Sequence, residues 1–388
     1  MRYDVFVTVW GQDFVKKFTE ISLASQLTPG NIPALASESE IHYHIYTDRY
    51  SRKYFDLPVA ALSEYAEVHF YFYDDISYAN GNLQKAIENS DIATAKHNVQ
   101  RITAQHMLSQ LKGSAAVLLD SDFIIADGSL ARMHILRLEG KRAVMVPLMR
   151  LNESTVSPLL SEDLLAFLAP RDLVRLCLDH MHPIFSAYFL NAEGSTLYPS
   201  QLNWKVSQLG GDVNEISGVI TRCLFPHPLM IVPDASAGES GVKYFSTMDY
   251  DYALRAVSDD GAIHLSRSSD EILICKLSPE GYLVDSKQSE PLSIDSMANF
   301  VLNNTNLRHR LFLDQSVFFV ADEGGDWEAV NHEAFRFIEA TYKAVELVVG
   351  QLPKVDPITM VRLKSFLGPI EDFISPQIQS RIEKFLPH

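Results

Sequence analysis

An apolar run at positions 114–125 is broken by two carboxylates, Asp120 and Asp122, with Ser121 between them. The run has the length and composition of a buried strand, and Ser121 permits a turn where that strand ends. Hard cations such as Mg²⁺ or Mn²⁺ combine one or two carboxylates with water and phosphate oxygens. The pattern therefore predicts a metal and diphosphate site. Because Asp-x-Asp also occurs by chance in acidic proteins, a solvated turn at the strand end is the alternative.

Other apolar runs of strand length precede this one. They cover residues 3–11, residues 41–46, which lead into Thr47 and Asp48, and residues 67–73. Helical periodicity separates the runs, and alternating strands and helices predict a mostly parallel sheet. Ligands of such open sheets bind beyond the carboxyl ends of the strands. We therefore expect the functional site at that edge.

Residues 1–260 resemble a glycosyltransferase of the GT-A superfamily, chiefly through the segment LLDSDFIIADGSL at positions 118–130. The resemblance implies an α/β fold with a Rossmann-like, mixed and mostly parallel sheet flanked by helices. It also implies that Asp120 faces the sugar or ribose and that Asp122 binds Mn²⁺ or Mg²⁺ directly, with Asp120 as a second ligand. The implied donor-binding residues are Thr8, Val9, Trp10, Gly11, Thr47, Asp48, Asp120 and Ser121.

Histidines supply a further expectation about the metal. In many GT-A enzymes a histidine late in the domain completes the metal shell, and His227, just before an apolar run, is the best candidate in this chain. His182 is the second candidate, and a buried histidine bonded to backbone carbonyls is the alternative for His227. His42 and His44 alternate with apolar residues, so we expect them to share one strand face without a catalytic role.

Residues 180–251 are rich in His, Pro, Gly, Asn and aromatic residues, which predicts long functional loops. Sugars need flat aromatic surfaces together with hydrogen-bonding groups, so we expect an acceptor pocket here. Its candidate residues are Trp204, Asn203, Tyr188 and His182. The alternative for each of them is a structural role.

A second acidic pair, Asp249 and Asp251, precedes a short helical pattern. A glycosyltransferase needs a carboxylate to accept the proton of the acceptor hydroxyl or to act on the opposite face of the sugar. Either residue could do so, and we predict the catalytic group here. Asp249 could instead only cap the helix that follows.

The length of 388 residues exceeds the usual size of a single core. We expect a catalytic domain at 1–260, with a donor half at 1–130 and an acceptor half at 140–260. Residues 261–388 are expected to form a hairpin, from the apolar runs 262–265 and 272–277, followed by a mainly helical region.

The charge and cysteine content of the chain limit the classes of ligand that it can bind. A net charge of −16 argues against nucleic acid as the main ligand, because phosphate backbones are held by clustered basic residues. The three cysteines are far apart in the sequence and offer neither a zinc spacing nor a disulfide framework.

The sequence shows no signal-like run and no run long enough to span a membrane. We therefore expect a cytoplasmic protein with at most peripheral contact at the inner face of the membrane.

The predicted function is metal-dependent transfer of a sugar from a UDP- or GDP-sugar to a glycan, lipid-linked or protein acceptor, as in polysaccharide biosynthesis. A nucleotidyltransferase of sugar phosphates is one alternative, although residues 7–12 lack its usual glycine-rich phosphate loop. A catalytically silent sugar-binding protein of the same fold is the other.

Overall fold

The structure is a computed structural model of the 388-residue chain. It describes residues 1–78, 80–111, 113–165, 168–190, 194–208, 215–234, 252–283 and 286–350. The chain divides into two compact units. Met1–His182 and Pro226–Glu280 form the first unit, and Pro183–Phe225 and the residues from Gly281 onward form the second. These limits differ from the intervals expected from the sequence, and the division into a donor half and an acceptor half stays a prediction.

The strands of the described residues are β1 (Arg2–Thr8), β2 (Glu40–Thr47), β3 (Glu67–Phe72), β4 (Ser77–Tyr78), β5 (Gly81–Asn82), β6 (Ala115–Asp120), β7 (Phe123–Ile125), β8 (Ala143–Val146), β9 (Met149–Asn152), β10 (Ser195–Thr196), β11 (Gln201–Ser207), β12 (Ile216–Cys223), β13 (His227–Ile231), β14 (Ile263–Leu265), β15 (Ile274–Ser278), β16 (Lys287–Gln288) and β17 (Val317–Val320).

The α-helices of the described residues are α1 (Gln12–Lys17), α2 (Leu23–Gln26), α3 (Ile32–Ala36), α4 (Asp56–Leu62), α5 (Leu83–Glu88), α6 (Ile92–Gln110), α7 (Ser129–Leu138), α8 (Glu153–Val156), α9 (Glu162–Leu165), α10 (Pro170–Asp179), α11 (Pro183–Ser186), α12 (Tyr252–Ala256), α13 (Ile294–Asn304), α14 (Arg310–Leu313) and α15 (Trp327–Gly350). A π-helical turn, Phe18–Ser22, joins α1 to α2. Among these described helices, none is long and apolar enough to cross a membrane.

The main sheet of the first unit has seven strands in the order β14-β8-β13-β6-β1-β2-β3. Of these seven strands only β13 is antiparallel to the rest, since it pairs antiparallel with both β6 and β8. The apolar odd-numbered residues of β1 and β2 are buried in one core with residues of α1, α3 and α7. On the opposite face, Tyr46 of β2 contacts His106 of α6, with 3.0 Å between Oη and Nδ1. The expected mixed, mostly parallel sheet flanked by helices is confirmed, and β6 is its middle strand.

A second sheet of the first unit, in the order β7-β15-β9, follows directly from the Asp-x-Asp turn. Its central strand β15 pairs antiparallel with β7 and parallel with β9. The expected hairpin is therefore wrong, since β14 pairs with β8 in the main sheet. Apolar composition identified both strands, but it carries no information about which strand each one pairs with.

The second unit contains an antiparallel sheet of β11, β12 and β17. Its apolar face packs with α13 and α15 in one core that includes Trp204, Val301 and Ile338. The loop-like character expected for residues 180–251 is thus wrong for β10 to β13, because the polar and turn residues there alternate with buried apolar ones. The helical character expected after residue 280 is confirmed for α13 and α15, while the predicted helix at 357–387 lies outside the described residues.

Candidate active site

Asp120 is the last residue of the middle strand, and Asp122 follows at the turn into β7. In the sheet, Asp120 is paired with Thr8 at the end of β1. Ser121 and Asp122 are buried, and Asp122 is 8% exposed. The turn is fixed by the main chain, since the amide of Leu277 donates a hydrogen bond of 2.9 Å to the carbonyl of Asp122. The structure therefore holds the acidic pair rigidly at the carboxyl edge of the sheet.

Lys276 brings a cation to this acidic pair. Its ammonium donates a hydrogen bond to Oδ2 of Asp120 and lies 3.7 Å from Oδ1 of Asp122. The position follows from β15, in which Lys276 pairs with Phe123 of β7 on one side and with Arg150 of β9 on the other. Side chains of directly paired residues lie on the same face of a sheet. Lys276 and Arg150 are thus neighbouring cations beside two carboxylates.

The charges of this group change its pKa values. Burial acts to raise the pKa of Asp120, but the charge of Lys276, followed by that of His227, outweighs burial and holds the pKa below its ordinary value. For Asp122 burial dominates, and with the repulsion of Asp120 it raises the pKa despite the charge of Lys276. The two carboxylates raise the pKa of Lys276 against the opposing effect of burial. Lys276 is therefore charged at neutral pH, and proton affinity is higher at Asp122 than at Asp120.

The acidic pair has a donor set that fits a divalent cation. Oδ1 of Asp122 is buried and has no hydrogen-bond partner among the described residues. A buried carboxylate oxygen without a hydrogen bond is costly, and a hard cation would satisfy it more closely than the ammonium 3.7 Å away. Asp120 and Asp122 are thus the residues that would hold Mg²⁺ or Mn²⁺, in competition with the ammonium of Lys276.

The neighbouring strand ends provide the remaining predicted donor contacts. Trp10 is half-buried, its ring 6.0 Å from that of Tyr73 in an edge-to-face arrangement and 6.5 Å from that of Phe14. Gly11 is exposed and has φ +79°, a conformation that favours glycine. Its amide lies 3.4 Å from Oδ2 of Asp48. Trp10, Gly11 and Asp48 therefore form an accessible rim beside the acidic pair's strand.

Of the predicted donor residues at the ends of β1 and β2, Val9 and Thr47 are interior and Thr8 is half-buried. Val9 is 1% exposed and donates a backbone hydrogen bond of 2.9 Å to Tyr46. Thr47 is fully buried, and Oγ1 of Thr8 lies 3.4 Å from Oγ1 of Thr103 in α6. Burial places Val9 and Thr47 behind the rim, where they fix the strand ends. Asp48 does the same in part, because its Oδ1 accepts a 2.8 Å hydrogen bond from the amide of Ser51.

His227 is not brought into a ligand group with the acidic pair. Its Nε2 donates a 2.8 Å hydrogen bond to the carbonyl of Leu118, and its ring packs edge-to-face on Phe123 at 4.9 Å. Among the described residues, the groups of three or more metal-ligating side chains with atoms within 4.8 Å do not include His227. This contact with a backbone carbonyl is the alternative named for His227, and its role as a metal ligand stays a prediction.

The candidate acceptor residues are buried, whereas direct contact with an acceptor sugar would need them at an accessible surface. Trp204 is 4% exposed, and its ring lies 6.1 Å from that of Phe337 in the core of the second unit. Asn203 is fully buried, and its Oδ1 accepts a hydrogen bond from Thr221. Tyr188 is 8% exposed.

The fourth candidate, His182, belongs to the first unit. It is fully buried, and its Nε2 donates a 2.8 Å hydrogen bond to the carbonyl of Pro279. Apolar packing accounts for the position of Trp204, and internal hydrogen bonds account for those of Asn203 and His182.

Asp249 and Asp251 lie outside the described residues. The helix α12 begins directly after them, at Tyr252. Their predicted catalytic role therefore stays a prediction.

An open cleft of about 710 Å³ in the first unit offers a different surface for a polar ligand. Its lining is mainly charged and hydroxyl-bearing, and includes Asp13, Lys17, Glu20, Glu153, Ser154 and Glu280. Lys17 forms a 2.6 Å ion pair with Glu153. The charge of Lys17 also lowers the pKa of Asp122, although less than Lys276 does. The cleft and the acidic pair thus share an electrostatic environment.

Sequence reasoning missed Lys276 and Arg150. Both are single cations within short apolar strands, β15 and β9. A charged residue in a buried strand is rarely tolerated without a partner, so each one signalled a nearby carboxylate. The identity of that carboxylate required the strand pairing.

Comparisons with known proteins give only weak likenesses. No family model and no curated protein matches the sequence. The solved structure of TarS from S. aureus is 11% identical with a TM-score of 0.32, over 98% of this chain and 50% of the TarS chain. The structure of TarS 1–349 is 11% identical with a TM-score of 0.33, over 99% of this chain and 87% of that chain.

Two further structures overlap 38% of this chain. Mouse xyloside xylosyltransferase 1 is 13% identical with a TM-score of 0.25 over 53% of its own chain. The 4-diphosphocytidyl-2C-methyl-D-erythritol synthase of Anaerococcus prevotii is 12% identical with a TM-score of 0.23 over 55% of its own chain. The chain spans half of the longer TarS chain. Scores of this size carry no weight for function, which must come from the site itself.

Proposed function

We propose that the protein is a glycosyltransferase that transfers a sugar from a nucleotide-sugar donor at the Asp120–Asp122 turn. The observation that carries the proposal is the position of this turn at the carboxyl end of the middle strand of a mostly parallel sheet. Ligands of such sheets bind at that edge. A buried carboxylate oxygen without a hydrogen-bond partner, on Asp122, supports a cation-dependent site there.

The donor, a UDP- or GDP-sugar, would bind with its nucleoside on the rim of Trp10, Gly11 and Asp48. Trp10 offers a flat apolar surface and Asp48 a carboxylate that can accept hydrogen bonds from ribose hydroxyls. The diphosphate would face the acidic pair, with Mn²⁺ or Mg²⁺ held by Asp122 and Asp120. When bound, such a cation supplies Lewis-acid stabilisation of the leaving diphosphate.

Lys276 and Arg150 supply the protein's own positive charge for that leaving group. Transfer breaks the bond between the sugar and the diphosphate, and negative charge develops on the diphosphate oxygens. Fixed cations placed where charge develops lower the barrier, because they need no reorganisation during the reaction. The ammonium of Lys276 already lies at the strand end, where Asp120 orients it.

The acceptor would bind in the cleft lined by Lys17, Glu20, Glu153 and Ser154. Carboxylates, ammonium groups and hydroxyls are the hydrogen-bond partners that sugar hydroxyls need. Asp249 or Asp251 is proposed as the group that accepts the acceptor's proton. A glycan, a lipid-linked sugar or a glycosylated protein would satisfy this chemistry, and we place the reaction in the cytoplasm or at the inner membrane face.

The experiment that tests the proposal is hydrolysis of a panel of nucleotide sugars without acceptor. The full chain is incubated with UDP- and GDP-sugars in Mn²⁺, in Mg²⁺ and in EDTA, and released sugar is measured. We expect release from one nucleotide class that depends on the metal and is abolished in Asp122→Asn. Metal-independent release, or no release and no nucleotide binding by any donor of the panel, would contradict the proposal.

A further inference from the structure

A separate group of metal-type side chains lies at the opposite edge of the main sheet, near the starts of β2 and β3. Among the described residues it is the group of three ligating side chains whose atoms lie within 4.8 Å of one another. Its members are His42, Glu67 and His69. His42 is six residues before Asp48, which places the group about 20 Å from the carboxyl edge of the sheet.

The sheet register explains why these three side chains meet. His42 of β2 is paired with Glu67 of β3, and the next residue on the same face of β3 is His69. Nδ1 of His42 lies 3.0 Å from Nε2 of His69 and 3.6 Å from Oε2 of Glu67. Nε2 of His69 lies 3.6 Å from Oε1 of Glu67. Two nitrogens and a carboxylate therefore form a small triangle.

The triangle has the dimensions of a zinc site. With zinc–nitrogen and zinc–oxygen bonds of about 2.0 to 2.2 Å, ligand atoms of a tetrahedral ion are about 3.3 to 3.5 Å apart. The two nitrogens are 3.0 Å apart and each lies 3.6 Å from one oxygen of Glu67, values that lie on both sides of this range. Two imidazoles and one carboxylate leave a fourth position open for water.

The surroundings of His42 match those of a metal-binding imidazole. Its other nitrogen, Nε2, is 2.7 Å from Oε1 of Glu40. Metal-ligating histidines almost always donate their second N–H to such a carboxylate, which fixes the tautomer. Here the bond to Glu40 places the N–H of His42 on Nε2. The lone pair of Nδ1 therefore faces His69 and Glu67.

The neighbouring charges also favour a divalent cation. Three carboxylates, Asp4, Glu40 and Glu67, lie at this edge, and Arg2 is the cation that pairs with Asp4. His44 is not a ligand candidate, because its two nitrogens contact Oδ1 of Asp4 at 2.8 Å and the hydroxyl of Tyr71 at 3.2 Å. The charged side chains around the imidazoles of His42 and His69 therefore carry a net negative charge.

We propose that His42, Glu67 and His69 bind a zinc ion that ties β2 to β3, a site independent of the transferase reaction. Imidazole nitrogen with one carboxylate suits zinc better than Mg²⁺ or Mn²⁺, which prefer oxygen. Without metal, Nε2 of His69 donates the 3.0 Å hydrogen bond to Nδ1 of His42, whose own N–H is directed to Glu40. His69 must turn to share an ion. Its side chain is 30% exposed and that of Glu67 is 67% exposed, which leaves room for this adjustment.

The test is titration of the untagged full chain with Zn²⁺, followed by calorimetry, and with Co²⁺, followed by the visible absorption of a four-coordinate ion. Saturating Mg²⁺ is present to occupy oxygen-rich sites. We expect one tight Zn²⁺ per chain. His69→Gln and Glu67→Gln should each weaken it at least about tenfold, and Glu40→Gln by about 10- to 100-fold, as for lost carboxylate partners of metal-bound histidines.

The matched control is His332→Gln, which removes an exposed histidine 3.9 Å from Glu328 on helix α15. It should leave Zn²⁺ affinity and the Co²⁺ spectrum unchanged, and circular dichroism confirms that each variant is folded. The proposal is overturned if folded His69→Gln binds Zn²⁺ as tightly as the wild-type chain. It is also overturned if His332→Gln loses as much affinity as His69→Gln. Donor hydrolysis is not part of either readout, so failure of the transferase proposal leaves this test intact.

Discussion

The ammonium of Lys276 is hydrogen-bonded to the carboxylate of Asp120, a residue 156 positions earlier in the chain. The contact places a permanent positive charge at the acidic turn where a divalent cation is proposed to bind. An ammonium and a metal ion attract the same carboxylate oxygens, so their binding to the acidic pair is competitive.

Replacement of Lys276 by Met should therefore have opposite effects on metal and donor. We expect Mn²⁺ alone to bind about tenfold more tightly or better, because a competing cation is gone. Donor hydrolysis should fall by about 10²-fold, because charge that stabilises the leaving diphosphate is lost. Calorimetry with Mn²⁺ and a hydrolysis assay measure the two effects. Lys141→Met, which removes a partly exposed lysine bonded to the carbonyl of Gly261, is the control. Weaker Mn²⁺ binding in folded Lys276→Met would contradict the competition.

Asp122→Asn should remove metal-dependent nucleotide binding. The amide keeps the size of the side chain but lacks the negative charge that a divalent cation needs. Binding of UDP and GDP is measured by calorimetry in Mn²⁺ and in EDTA, and a loss of at least about tenfold is expected in Mn²⁺ only. Asp56→Asn, at an exposed residue paired with Arg52, is the control. Equal binding in Mn²⁺ and EDTA by the wild-type chain would show that the metal assignment is wrong.

Trp204→Ala should act on stability, because the side chain is 4% exposed in an apolar core. Loss of a buried tryptophan typically costs about 3 to 5 kcal/mol of unfolding free energy. Urea unfolding, with fluorescence and circular dichroism as probes, measures this change. Tyr198→Ala, at a residue 54% exposed in the same unit, should change the free energy by less than about 0.5 kcal/mol. A fully stable Trp204→Ala with a raised acceptor KM would restore the acceptor role.

The free energy of unfolding should fall at acid pH as Glu271 becomes protonated. Burial acts to raise the pKa of Glu271, but His264 and Arg132 outweigh it and lower the pKa to about 2 from 4.5. Because the folded pKa is below the unfolded one, the stabilisation is complete above pH 4.5 and disappears as pH falls towards 2. Solvent partly screens this half-buried group, so the expected loss is about 1 to 2 kcal/mol. Unfolding free energies at several pH values should show a shallower dependence in Glu271→Gln, while Glu328→Gln, at an exposed residue, should match the wild-type chain.

Asp249 and Asp251 can be separated from a capping role by paired variants. If either residue accepts the acceptor's proton, its Asn variant should keep the melting temperature but lose about 10²-fold or more in transfer rate. If the residue only caps helix α12, its Ala variant should lose about 0.5 to 2 kcal/mol and keep its turnover per folded molecule. Stable and active Asn variants at both positions would remove the pair from the mechanism.

The strands of the first unit could be predicted from the sequence because each one is a short apolar run with polar residues after it. Asp120 and Asp122 were found in this way, and the structure places them at the expected edge. Pairing could not be predicted, since apolar composition is the same whichever neighbour a strand has. For that reason β15, which brings Lys276 to the acidic pair, was expected in a peripheral hairpin.

The same limit applies to contacts between distant residues. Cys177 and Cys275 are 98 positions apart, which argued against any pairing, yet their sulfur atoms lie 3.1 Å apart in the structure. Aromatic and polar residues near position 200 suggested a ligand pocket, whereas Trp204 and Asn203 are held inside by β12 and α15. Composition reports what a segment contains, but burial depends on which elements cover it.

The order of segments in the two units has a consequence for how the protein can be made and divided. Each unit is assembled from two separate stretches, since residues 183–225 interrupt the first unit and residues 226–280 interrupt the second. During synthesis, the first unit is complete only after residue 280 has been added. Before Lys276 is added, Asp120 lacks its ammonium partner. A chain shortened to residue 260 would lack β14 and β15, so it would expose the edge of β8 and leave Asp120 and Asp122 without Lys276. A catalytic fragment of this protein must therefore extend past Ser278, beyond the boundary that the sequence suggested.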